Sequence, residues 1–340
     1  MGGAVSDGRL LARALRDPAS VRTLDAAGWT DLIQIARAEQ LIGTLAARLA
    51  DQSRPADAAR ILADAAASIA QQRTAALWEA EMARRVLAPL GLPVVLLKGT
   101  AFLAAGLAAG MGRSVGDCDI LVPRGALDTV EAALLGAGWE WVKPDPYDDA
   151  YYRRWMHELP PLIHRERDRM IDVHHTILPL TTRITPDADA LIAASVPLDG
   201  RPSALRILSP NDMLCHAAAH LFADGDLAGG MRNLWDVHCL IAQFGVAGLT
   251  ERAQHHGLWR EVARAARLAH ALYDTPIPAR WRTWNVLDPL YRRRLTARDG
   301  WGRRTRSLTR FAFYARSHWL RMPPAMLARH LWIKWRKGKG

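Results

Sequence analysis

Cysteine is scarce: Cys118, Cys215 and Cys239 stand far apart in 340 residues, and none belongs to a C-x-x-C pair. That spacing argues against a disulfide framework and a cysteine-built zinc site, and it suits a reducing compartment. Long apolar runs free of charge are also missing. The longest, roughly residues 92 to 112, contains Lys98 and is interrupted by Pro93 and several glycines. A lysine facing lipid at mid-membrane costs several kcal/mol, so a buried strand, loop and helix explain this run and a spanning helix does not. The segment Met1–Asp7 has neither the basic nor the apolar region of a signal peptide, and the expected location is cytoplasmic. With charged residues at 23% and hydrophobic residues at 50%, a mainly disordered chain is excluded. The length allows a large core, or two compact units.

Acidic residues are nearly absent from one end. Between Arg292 and Gly340 lie 15 of the 45 Lys and Arg but only one acid, Asp299, which leaves 30 basic and 33 acidic residues upstream. The net charge of +11 therefore sits in a tail on a slightly acidic body. Arg303, Arg304, Arg306, Arg310, Arg316, Arg321, Arg329, Lys334, Arg336, Lys337 and Lys339 alternate there with Trp301, Phe311, Phe313, Tyr314, Trp319, Trp332 and Trp335. Such a mixture suits an anionic membrane surface or nucleic acid as partner. A solvated basic face packed on the acidic body through its aromatics accounts for it equally well.

What is present falls into four parts. Residues 1–90 form a helical region: Leu11, Ala14 and Leu15, then Leu32, Ile33, Ile35 and Ala36, then Leu41, Ile42, Leu45 and Leu49 recur at helical spacing. The alanine-rich stretch Ala58–Leu87 suits one long helix. Residues 91–200 change texture. Val94–Leu97, Asp119–Val122, Trp139–Val142, Pro161–His164 and Met170–Thr176 read as strands, with helices over Ala101–Ala109 and Leu127–Leu135. Residues 201–300 return to helix, starting at Ser209-Pro210-Asn211-Asp212, where a Ser cap, a first-position Pro and a first-turn acid coincide. Helices are expected over Met213–Phe222, Leu234–Phe244 and about Leu258–Leu272. Residues 301–340 are the basic aromatic tail. The fold class is α+β: a small mixed-sheet core flanked by helical regions.

The chemistry centres on Asp117-Cys118-Asp119. Residues i and i+2 of a strand share a face, so two carboxylates stand side by side. They repel unless a cation lies between them, and Mg²⁺ favours one or two carboxylates together with phosphate oxygens. Eighteen positions earlier comes Gly99 of Lys98-Gly99-Thr100, between a strand and a helix. A glycine there lets backbone N–H groups approach a phosphate at a helix N-terminus, with a hydroxyl from Thr100 and a charge from Lys98. An ordinary capped turn is the plainer alternative. In Ile171-Asp172-Val173-His174, Asp172 and His174 again share a face. Asp172 can supply a third metal ligand or a general base. His216 and His220 are spaced i, i+4, but with His238 they read as core or surface histidines, since no third ligand is evident.

The ordered set Leu97-Lys98-Gly99-Thr100, Arg113, Asp117-Cys118-Asp119-Ile120-Leu121-Val122 and Ile171-Asp172-Val173-His174 resembles an uncharacterised nucleotidyltransferase family found in bacterial genomes, within the polymerase-β-like superfamily. The resemblance is strongest over roughly residues 90 to 180 and weaker at Pro210–His216 and Leu234–Val237. It implies a metal-dependent nucleotidyltransferase that moves a nucleoside monophosphate from a Mg²⁺-bound NTP to an acceptor, with two ions. Asp117, Asp119 and Asp172 would be the catalytic metal ligands. Lys98, Gly99, Thr100 and Arg113 would bind nucleotide phosphates, with Thr100 standing where the superfamily carries Ser. A D-x-D glycosyltransferase-like enzyme and a non-catalytic binding protein of the same fold are the alternatives.

Overall fold

The computed structural model describes residues 6–143, 145–198, 205–223 and 225–321. Four helices come first: α1 (Gly8–Arg16), α2 (Ala26–Ala38), α3 (Ile42–Arg48) and α4 (Ala56–Leu87). The Asp7 carboxylate accepts from the Arg9 N–H to cap α1, and Asp25 accepts from the Gly28 N–H to cap α2, each satisfying a donor that the helix start leaves free. Leu11, Leu15, Leu32, Ile35, Leu45 and Leu49 form the inward stripe and are fully buried. α4 has 32 residues and so runs about 48 Å. Its buried Glu79 receives two hydrogen bonds from Arg167, at 2.8 and 3.0 Å, which tie the helical region to the sheet.

The core then follows as β1 (Val95–Leu96), α5 (Lys98–Ala104), β2 (Asp117–Leu121), α6 (Leu127–Gly136), β3 (Trp139–Trp141), α7 (Pro146–Trp155), β4 (Leu162–His164), β5 (Met170–His174), α8 (Ala188–Ala193), β6 (Val196–Pro197) and β7 (Arg206–Ile207). The strands form one seven-stranded sheet in the order β3-β4-β5-β2-β1-β7-β6. β2 pairs in parallel with β5, β1 in parallel with β7, and the other neighbours are antiparallel. This is the mixed sheet with flanking helices that the sequence predicts. β2 lies at its centre with Cys118, Ile120 and Leu121 buried, as expected of a strand covered on both faces.

Several boundaries differ from the expectation. β4 begins at Leu162, after Pro160-Pro161, whose rings carry no N–H for a ladder. The helix expected over Ala101–Ala109 instead starts at Lys98 and ends at Ala104, so Gly99 and Thr100 lie in its first turn. α7, α8 and the edge pair β6–β7 extend the expected set of elements. β1 is the only strand ahead of β2 among the described residues; the alternating strand–helix half that a D-x-D glycosyltransferase would place there is not seen.

The last region comprises α9 (Pro210–Ala223), α10 (Gly230–Phe244), α11 (Leu249–His255), α12 (Trp259–Tyr273), α13 (Asp288–Leu295) and α14 (Ser307–Arg321). The expected start signal operates: Ser209 Oγ accepts from the Asp212 N–H at 3.4 Å and donates to the Asp212 carboxylate at 2.8 Å. The tail is not the separate appendage that its composition suggests. Arg306 pairs with Asp7 at 2.7 Å, and just before the tail Arg298 pairs with Glu39 at 2.6 Å. Phe313 is buried, edge-on to Tyr291 at 4.9 Å. Trp301, Phe311, Tyr314 and Trp319 are exposed. The tail's Arg329, Lys334, Arg336, Lys337, Lys339, Trp332 and Trp335 lie outside the described residues. Among the described residues no helix is long and apolar enough to cross a membrane.

Candidate metal and phosphate centre

The parallel pairing of β2 with β5 sets Asp119 directly opposite Asp172. Alternation along β2 puts Asp117 on the same face as Asp119. One ligating oxygen from each of Asp117, Asp119 and Asp172 lies within 4.8 Å of the others. The structure thus gathers the three acids that the sequence singles out.

Their electrostatics differ. Burial would raise the Asp119 carboxyl, but Lys98 and then His174 outweigh it and hold the group far below the usual carboxylate range. Lys98 Nζ lies 2.6 Å and His174 Nε2 2.9 Å from Asp119, and both meet the same oxygen, Oδ1. Asp119 in turn keeps Lys98 charged, above its ordinary range despite burial. Asp172 is pushed up to about 7, by burial first and then by the charges of Asp119 and Glu158. Asp117 is raised too, by burial and then by Asp119. Lys98 thus balances Asp119, while the other two acids stand in a cluster short of positive charge. Lys98 also sits at φ +47, a left-handed conformation that costs a non-glycine residue about 1–3 kcal/mol. The fold retains that strain at a residue whose ammonium touches the acid cluster.

The chain belongs to the uncharacterised nucleotidyltransferase family. The match covers residues 25–274, from the start of α2 to the end of α12, so the family unit includes helices on both sides of the sheet. No curated protein matches the chain.

In this nucleotidyltransferase-family chain, the residues expected to bind phosphate have distinct placements. The Thr100 hydroxyl is fully buried and donates to the Asp117 carbonyl at 3.1 Å. That bond ties α5 to β2, so the phosphate contact expected of the hydroxyl is replaced by a structural one. Gly99 lines the cleft, and its missing side chain makes room: a Cβ there would lie 2.7 Å from Arg113 Nε and 2.7 Å from Val115 Cγ2. Arg113 crosses that gap to pair with Asp236 on α10. Arg232, 4% exposed, reaches the other oxygen of Asp236 and donates to Thr44 Oγ1 at 2.6 Å. Two guanidinium groups therefore share one carboxylate, and the Nε of each has no hydrogen-bond partner among the described residues.

A cleft of about 830 Å³ opens over this arrangement. Asp117 and Asp119 line it with Arg37, Lys98, Arg113, Arg232, Arg298 and Arg304. Arg304 belongs to the basic tail, so the part that composition sets off at residues 301–340 reaches the cleft.

Sequence reasoning missed Glu158, His157, Arg232 and Asp236. Glu158 reaches His174 through an isolated antiparallel bridge beyond Pro160-Pro161. His174 Nδ1 lies 3.3 Å from the Glu158 carboxylate, so the ring stands between Glu158 and Asp119. His157, Glu158 and His174 form a second group able to hold a cation, and burial drives His157 down to about 2, leaving its imidazole neutral. His216 is buried beside Lys98 and Arg113 in a small side cavity, and burial drives its pKa far down. His216 and His220, with ring centroids 6.5 Å apart, belong to neither ligand group, and His238 is bonded to Thr275 at 2.9 Å.

Proposed function

We propose that this chain moves a nucleoside monophosphate from an NTP to an acceptor oxygen. The reading is carried by one observation: three carboxylates gathered within 4.8 Å, of which Asp117 and Asp119 line a cleft whose other charged residues are all cations. The new bond joins the acceptor oxygen to the α-phosphorus. The bond from that phosphorus to the bridging oxygen of the β-phosphate breaks, and pyrophosphate leaves.

The donor set fits Mg²⁺: three carboxylates cluster there, and burial first, then neighbouring acids, raise the Asp117 and Asp172 carboxyls, so ionising them favours a nearby cation. Asp117, Asp119 and Asp172 would hold the ion or ion pair, which supplies charge neutralisation for the triphosphate oxygens and the developing oxyanion. Lys98 and His174 both engage Oδ1 of Asp119, which leaves Oδ2 for the ion. Asp172 orients the acceptor hydroxyl or takes its proton. Lys98 and Arg113 offset phosphate charge, and the guanidinium of Arg113 presents a fork of donors for phosphate oxygens.

The test is calorimetric titration with each NTP, with and without Mg²⁺, on the parent and on Asp117→Asn. Incubation with α-labelled NTPs and cell extract then seeks a labelled product together with pyrophosphate. The expected result is Mg²⁺-dependent NTP binding weakened at least tenfold in the variant. Equal binding by a folded Asp117→Asn protein would defeat the reading.

A further inference from the structure

We infer that the acceptor carries a phosphate monoester of its own, held by Arg37 and Arg304; the inference rests on the nucleotidyl-transfer reading above. Among the cations lining the cleft, most are already engaged. Lys98 is paired with Asp119, and Arg113 and Arg232 share Asp236. Arg298 gives its guanidinium to Glu39 and to the carbonyls of Ala38 and Gly302. Arg37 and Arg304 are exposed on the cleft, and neither side chain makes a hydrogen bond or ion pair among the described residues.

Contacts place this pair away from the acids. From Asp119 the connections run through Lys98 to Gly99, against which Arg113 packs, and then through Asp236 to Arg232. The preceding residue, Met231, donates its backbone N–H to Glu39, which holds Arg298. Arg298 bonds the carbonyl of Ala38, beside Arg37, and its backbone bridges to Arg304. Lys98 and Arg113 thus stand nearest the metal ligands, and Arg37 and Arg304 border a second anion position farther along the same cleft. Arg37, Arg298 and Arg304 gather there, and Glu39 is already committed to Arg298. Two free guanidinium groups, each a planar fork of donors, match the charge and the three terminal oxygens of a phosphate monoester. An anion there fixes one end of the acceptor while its nucleophilic oxygen faces the acids.

The experiment uses full-length protein saturated with Mg²⁺ and a non-hydrolysable ATP analogue, so that the nucleotide position is filled. Inorganic phosphate, glucose 1-phosphate and a 5′-phosphorylated tetranucleotide are titrated by calorimetry, with glucose and the unphosphorylated tetranucleotide as controls. The phosphorylated probes are expected to bind and the controls not; the tighter of the two organic probes identifies a small-molecule or a strand-end source. The double variant Arg37→Ala, Arg304→Ala should weaken phosphate binding at least tenfold and change analogue affinity less than twofold. The double Lys variant should retain part of the phosphate affinity. The inference is overturned if phosphate does not bind the saturated protein, or if the Ala variant weakens the analogue as much as phosphate, which would assign both arginines to the triphosphate. If the analogue itself fails to bind with Mg²⁺, the nucleotidyl-transfer reading falls separately, and the arginine pair is judged by the same tenfold loss of phosphate binding in the analogue-free protein.

Discussion

Gly99→Ala separates two explanations of the glycine beside the acid cluster. If Gly99 serves only to let backbone approach a phosphate, the substitution weakens nucleotide binding and leaves stability alone. The packing gives a different result. The new Cβ would sit 2.7 Å from both Arg113 Nε and Val115 Cγ2, and neither is the free end of a flexible chain. Overpacking of this kind costs about 1–3 kcal/mol. Replacing glycine by alanine within a helix returns about 0.5–1 kcal/mol, so the net loss is about 1 kcal/mol, and more if Arg113 is pushed off Asp236. Urea unfolding followed by tryptophan fluorescence measures it. The decisive comparison is a double-mutant cycle with Arg113→Ala. Removing the arginine clears one of the two contacts, so the alanine penalty should shrink, with a coupling of at least about 0.5 kcal/mol. Unchanged or increased stability in Gly99→Ala, or additivity with Arg113→Ala, refutes the packing argument.

Four further outcomes are expected. In metal-free protein the raised Asp172 carboxyl makes ionisation costly in the fold, so its contribution to stability is full below its ordinary 3.8 and is lost as pH rises towards about 7. Denaturant midpoints in EDTA should fall across that window, and Asp172→Asn should flatten the slope. Asp119→Asn, which two adjacent acids alone would suggest relieves repulsion, should instead destabilise, because it strips Lys98 and His174 of their partner; a midpoint equal to or above the parent's contradicts this. Asp212 is fully buried, and hydrogen bonds from His256, Arg252 and Ser209 hold its carboxyl low against burial. Asp212→Asn should cost about 3–5 kcal/mol, as removing one partner of a buried ion pair does, with little change in nucleotide affinity measured on the folded fraction. Deleting residues from Trp301 onward should lower the melting temperature and remove the Arg304 side of the cleft; a truncated protein with parental stability would show that α14 contributes nothing.

Local signals carried the parts of the fold that repeat or alternate. Asp117 and Asp119 lie two apart on a strand, and Met170, Ile171 and Val173 mark β5 around Asp172, so the three acids of the cluster were visible from spacing and order. Ser209 and Asp212 were visible because a helix start needs those residue types. The supporting shell was not visible, because its contacts join distant segments. Arg113 and Asp236 are 123 residues apart and Glu39 and Arg298 are 259 apart, and no periodicity links such pairs. Glu158 sits before two prolines that interrupt the strand pattern, so its alignment with His174 exists only once β5 is in place. β6 and β7 have two residues each, too few to show a period of two. The tail misled for a related reason: its charge counts as an excess in the sequence, whereas Arg298 and Arg306 meet acids at the opposite end of the chain.

Those pairings bear on how the protein is made. Gly8 donates its backbone N–H to Thr296, and Asp7 receives Arg306, so these two contacts of the first helix form only after residues 296 and 306 have been made. Contacts of such long sequence separation are slow to close, because chain entropy is lost before they form. A nascent chain carries the acids of β2 early, but the cleft lacks Arg298 and Arg304 until residue 304 has left the ribosome. Partly translated or C-terminally clipped chains would therefore hold the acid cluster on a cleft missing one wall. The cleft is complete only once Arg298 and Arg306 have met Glu39 and Asp7.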